Sequence, residues 1–180
     1  MGWLKDLFTA HAVPEGAPTK LLPIIDTTKM GAPWMDWMIA RDGKSENDPA
    51  FSAEMSKYWP LVGLHFANIQ GRSHAWCALT VNAALHDTGY KGNGSAAAVS
   101  FEHYGTPCGY VYGAIVPIRH ASGEHHVTFF DHWADEPRKI ACLFGGNQSN
   151  CLRKQNFDLS GNKNNGADEC VSGPRWPVKA

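Results

Sequence analysis

Residues 73–89, SHAWCALTVNAALHDTG, are the most apolar stretch of helical character in the chain. Ser73 is a residue type that caps a helix, and Gly89, just beyond Asp87, can close one. Between them Cys77, Val81, Ala84 and Leu85 fall on one stripe, while Leu79 and Ala83 cover another. A helix apolar nearly all round belongs at the centre of a fold, with other elements packed on several sides. Upstream, Pro33 followed by Trp34, Trp37, Met38 and Arg41 predicts a short helix begun by proline and stopped by Gly43. Asp48-Pro49 predicts a second, with Asp48 as cap and Phe51, Met55, Tyr58 and Trp59 apolar before Pro60. A third is predicted from the cap Ser95 through Ala98, Val99 and Tyr104 to Gly105.

After Gly105 the pattern changes. YVYGAIVPI (110–118), HHVTFFDHW (125–133) and RKIACLF (138–144) are short and rich in β-branched and aromatic residues, with brief loops between them. That pattern predicts an antiparallel meander. Helices followed by strands make the fold class α+β, with helices packed on one face of a small antiparallel sheet. The chain divides into an N-terminal arm and Pro-rich connector (1–32), a domain (33–160) and a polar, Gly/Asn-rich irregular tail (161–180).

Composition removes several function classes. The 180 residues carry 16 Lys+Arg against 17 Asp+Glu, a formal charge of −1 with the basic residues scattered, so there is no field to hold a nucleic acid. No apolar run approaches the ~18 residues of a membrane span. Lys5 and Asp6 interrupt the apolar N-terminus where a secretory signal would be continuous, and Asp6 replaces the Ser or Thr of a myristoylation motif. Five cysteines stand beside nine histidines, and five thiols cannot all pair.

A cysteine becomes a nucleophile when a helix N-terminus or a nearby imidazole favours the thiolate. Cys77 falls in the first turn of the apolar helix, His126 opens the middle strand, and Asn147 follows the third strand, where it can orient the histidine. A cysteine on a helix followed by a histidine and a polar residue on consecutive strands is the order of parts in papain-like cysteine hydrolases.

The runs AWCALTVNAAL, GYKGNGSAAAVSFEHYG, GAIVPIR, HHVTFF and LFGGNQSN resemble the standalone bacterial and phage members of the NlpC-type and CHAP-type peptidoglycan hydrolases. The resemblance spans residues 33–150. It implies a papain-like fold and cleavage of an amide bond in the cell wall, with Cys77 as nucleophile, His126 as general base and Asn147 as the residue orienting the imidazole. Gln148, Trp76 and His125 are supporting candidates. The chain departs from the family at Ala114, where Asp is usual after Gly113, and at His125, which replaces the Gly before the histidine. The implied substrate is the peptidoglycan stem peptide, met after lysis or injection into a rival cell. An injected effector would also have a cognate inhibitor protein. No cofactor is implied.

Two alternatives stand beside this reading. One is a catalytically silent wall-binding module. The other is a zinc amidase using His120, His125, His126 and His132 with Asp131, although the chain has neither His-Glu-x-x-His nor Cys-x-x-Cys. Gln70 is a candidate to assist an oxyanion and His74 to line the cleft. Cys151 and Cys170 flank the Asn-rich tail and could staple it, while Cys108 and Cys142 bracket the sheet. Sequence leaves the pairing open.

Overall fold

The computed structural model describes residues 31–71 and 75–180. Nearly all of the expected N-terminal arm, the cap Ser73 and His74 lie outside the described residues. The chain is α+β, with three α-helices, α1 (Pro33–Ile39), α2 (Pro49–Ser56) and α3 (Cys77–Asp87), preceding most of the sheet. Pro33 and Pro49 each occupy the first helical position, and Asp48 caps α2 by accepting from the Ala50 and Phe51 N–H groups at 2.9 and 3.3 Å. The helix expected after Ser95 is a 3₁₀ turn at Ala98–His103.

Helix α3 is buried from Cys77 through Leu85 and ends at Gly89, whose φ of +79° reverses the chain at no steric cost. Its first residue is Cys77 itself. Asn82, the polar residue in this apolar helix, is satisfied by the Ala78 and Ser95 carbonyls and by the Asn93 side chain. Among the described residues, no helix is long and apolar enough to cross a membrane.

The main sheet is antiparallel throughout, built from β2 (Thr106–Pro107), β3 (Ile115–Arg119), β4 (His125–Asp135), β5 (Ile140–Gln148), β6 (Cys151–Asp158) and β7 (Arg175–Trp176), in the order β2-β7-β3-β4-β5-β6. The β3-β4-β5 meander matches the sequence expectation, although β3 starts later than the apolar run YVYGAIVPI. Strand β6 was not anticipated. It is an edge strand in which Leu152 and Phe157 are buried while Arg153, Lys154 and Asn156 face solvent, so its hydrophobic signal is weak.

The C-terminal segment, expected to be irregular, contributes two short strands. Strand β7 inserts between β2 and β3 and buries Trp176 edge-on against Trp34, their ring centroids 5.2 Å apart. Strand β8 (Val178–Lys179) pairs with β1 (Tyr90–Lys91), just after α3. Residues 119 and 169 exchange backbone hydrogen bonds at 2.8 and 3.0 Å, and the Arg119 and Glu169 side chains pair at 2.8 Å. This clamp holds the tail against the end of β3.

Candidate active site

Helix α3 packs across β4 and β5. The packing depends on Gly146: a Cβ there would lie 2.0 Å from Thr80 Oγ1 and 2.6 Å from the Trp76 ring, so only glycine lets the strand approach the helix start. Trp76 is fully buried, donates its indole N–H to Glu46 Oε2 at 3.1 Å, and meets Phe51 edge-on. Its role is to anchor the N-terminus of α3, which fixes where Cys77 projects.

Cys77 is buried, and its thiol is surrounded by the backbone N–H groups of Val127, Ala78 and Cys77 itself. The Val127 amide is the peptide bond that joins His126 to Val127, so the sulfur lies against the backbone that carries the histidine. Strand geometry explains why that N–H is available. The β3–β4 register pairs Ile118 with His126 and Val116 with Thr128, leaving the Val127 N–H directed at β5. The β4–β5 ladder reaches only as far as Phe129 and Phe144, and β5 then breaks register with β6 between Gly145 and Gln148. The thiol takes up a donor that the ladder leaves open.

The sequence argument expected the helix N-terminus to favour the thiolate. The surrounding N–H groups do act in that direction, but burial outweighs them and pushes the Cys77 thiol above its ordinary value. The Cys77 thiol is therefore neutral at rest.

Alternation on β4 separates the paired histidines. His125 is exposed and turns to Glu102, with Nδ1 3.4 Å from Oε1. His126 is buried, and its ring stacks with Phe157 and His120 at centroid separations of 6.0 and 5.8 Å. Burial and then the neighbouring His120 push its pKa down to about 4, with the Gln148 side chain acting in the opposite sense. The resting imidazole is therefore neutral as well.

Gln148 rather than Asn147 lies against that imidazole. The Gln148 amide nitrogen donates to the Leu143 carbonyl at 3.4 Å and to the Arg153 carbonyl, which leaves Oε1 as a buried acceptor without a partner. His126 Nε2 is likewise buried and without a partner. Gln148 lies against the His126 ring without a contact that reaches full hydrogen-bond geometry. Asn147 instead lies within the register break on β5, at φ +60°, a conformation asparagine tolerates better than most residues.

The remaining candidates disperse. Gln70 is exposed on the loop before α3. The four-histidine cluster does not assemble: His125 pairs with Glu102, and His120 Nδ1 meets Asp168 Oδ1 at 3.0 Å. Metal-binding side chains among the described residues converge instead at Asp131, His132 and Cys142, where Lys154 Nζ already neutralises Asp131 at 2.9 Å. All five cysteines are free thiols. A Cys151–Cys170 staple, one of the pairings the sequence leaves open, is not formed. Cys151 starts β6 while Cys170 lies beyond its other end, where the Asp168 N–H bonds the Asp158 carbonyl. Strand β6 spans ~23 Å at ~3.3 Å per residue, far more than a disulfide bridges.

Sequence reasoning missed Asp168, which lies far from the motifs and reaches the site through the Arg119–Glu169 clamp. It also ranked Gln148 below Asn147, and only the amide's backbone partners reverse that order. No family model matches the chain, and neither the curated proteins nor the solved structures include one similar to it.

Proposed function

We propose that this protein is a cysteine hydrolase that cleaves an amide bond of bacterial peptidoglycan, with Cys77 as nucleophile, His126 as general base and Gln148 in the orienting role first assigned to Asn147. The observation that carries the reading is the Cys77 thiol seated at the start of α3 against the Val127 N–H, one peptide away from the buried His126 and its Gln148 neighbour. The order of these groups along the chain, on a helix and then on successive strands, supports a papain-like reading, and the sequence motifs point to the wall as substrate.

The reaction starts from neutral partners. As sulfur adds to the substrate carbonyl, the thiol proton passes to His126, and Gln148 Oε1 steadies the imidazolium by accepting from Nε2. The first N–H groups of α3 have no intrahelical acceptors and are available to the carbonyl oxygen as it gains charge. His126 then gives its proton to the leaving nitrogen as the C–N bond breaks, leaving a thioester on Cys77. A water that loses its proton to His126 attacks the thioester, and the sulfur leaves to recover its proton.

Purified sacculi test the proposal. Incubation with the full chain should release new amine termini, identifiable by mass spectrometry of the muropeptides. Cys77→Ala should release none, and a metal chelator should have no effect. Walls bound without cleavage would favour the silent binding module, and inhibition by chelation would favour a metal enzyme.

A further inference from the structure

The resting site contains a second imidazole for which the reaction above has no use. His120 sits in the β3–β4 connection, its backbone N–H bonded to the Glu124 carbonyl at 2.8 Å. Its ring is nearly parallel to that of His126, at 24° and 5.8 Å, and both rings lie on Phe157, at 30° from it. Its Nδ1 meets Asp168 Oδ1 at 3.0 Å, and the Asp168 side chain is largely buried. Asp168 is itself fixed, because its backbone N–H bonds the Asp158 carbonyl at 2.8 Å and its carbonyl accepts from Gly161 at 3.0 Å. Its neighbour Glu169 is clamped to Arg119 through both backbone and side chain.

We propose that His120, anchored by Asp168, is a positioning residue for His126: its ring fixes the plane of the His126 imidazole, and its positive charge, when present, opposes a second one on that imidazole. The physical basis is the separation. Two like charges this close, one of them on a buried ring, cannot both form cheaply. The titratable group facing His126 is His120 from the β3–β4 connection, and the uncharged Gln148 and Phe157 also lie against the ring. Asp168 from the C-terminal segment faces His120, with the Arg119–Glu169 pair beside it. The arrangement keeps His126 free to accept the thiol proton at acidities where a solvated histidine would already be charged. This extends the reading of His126 as the base and rests on it.

Two variants divide the roles. His120→Phe keeps a ring on the stack and removes the charge, whereas His120→Gln keeps a donor for Asp168 and removes both ring and charge. Proton–carbon NMR of the imidazoles, in protein without substrate, should show the His126 titration midpoint rising by about one pH unit in both. The acid limb of kcat/KM on sacculi should move up with it. Above that limb His120→Gln should have a kcat about tenfold below that of His120→Phe, because the ring plane is no longer fixed.

A His126 midpoint unmoved in a folded His120→Phe would overturn the inference, as would activity lost in both variants with neither midpoint nor limb displaced. If one variant fails to fold, the other carries the same titration. Because the NMR readout needs no turnover, failure of this coupling is distinct from failure of the hydrolase reading, which would appear as sacculi left uncleaved by the parent chain.

Discussion

Gln148 presents its side-chain oxygen to the His126 ring because both N–H bonds of its amide are spent on the carbonyls of Leu143 and Arg153. The acceptor is thus oriented before any substrate arrives. Removing it from a buried imidazolium costs about 1–3 kcal/mol, roughly 5- to 150-fold in rate. Gln148→Ala should therefore lower kcat on sacculi by that factor with little change in KM. Asn147→Gly, at a position already in the left-handed region, should stay within ~1 kcal/mol of the parent in stability and keep its activity. The reverse pattern would return the orienting role to Asn147.

Folding stability should fall as the solution is acidified. His126 has an ordinary value of 6.5 when exposed and about 4 when folded, so the unfolded chain binds the extra proton. Its contribution is fully present above pH 6.5 and is lost as pH falls toward 4, on the order of 3 kcal/mol over that window. Urea denaturation at pH 7.5 and pH 4.5 measures the difference, and His126→Phe should flatten it. An equal pH dependence in parent and variant would assign the effect to other groups.

Gly146→Ala tests the seating of α3. The added methyl meets Thr80 and the Trp76 ring at distances no side chain sustains, so the helix start must shift. The cost should be about 1–3 kcal/mol, read as a lowered thermal midpoint, with activity lost because Cys77 moves with the helix.

The five cysteines should all titrate with a thiol reagent once the protein is unfolded, and reductant should leave the thermal midpoint unchanged. A fall in the midpoint on reduction would reveal a staple.

The strongly periodic parts of this fold were legible from sequence. Pro33, Asp48-Pro49 and the apolar run around Cys77 carry their own start signals and bury nearly every apolar side chain they offer, and β4 and β5 are too rich in Val, Phe and Ile to be anything but inner strands. Strand β6 escaped because an edge strand with Arg153 and Lys154 facing water alternates too weakly to register. The tail escaped for a different reason. Trp176 and Asp168 are placed by long-range pairing with β3 and by the clamp at Arg119, which no local pattern records. Motif order nominated Cys77 and His126 as candidates. The choice between Asn147 and Gln148 depended on a register break after Gly145, and the net direction of the Cys77 shift depended on how completely the thiol is buried.

The most direct measurement is intact-protein mass spectrometry after acid quench of the chain mixed with soluble muropeptides. A thioester on Cys77 should appear as a mass increment that localises to the peptide containing Cys77, and it should be absent from Cys77→Ala. Sacculi cleaved by Cys77→Ala at the parent's rate, with no adduct on the parent, would contradict the assignment of Cys77 as the nucleophile.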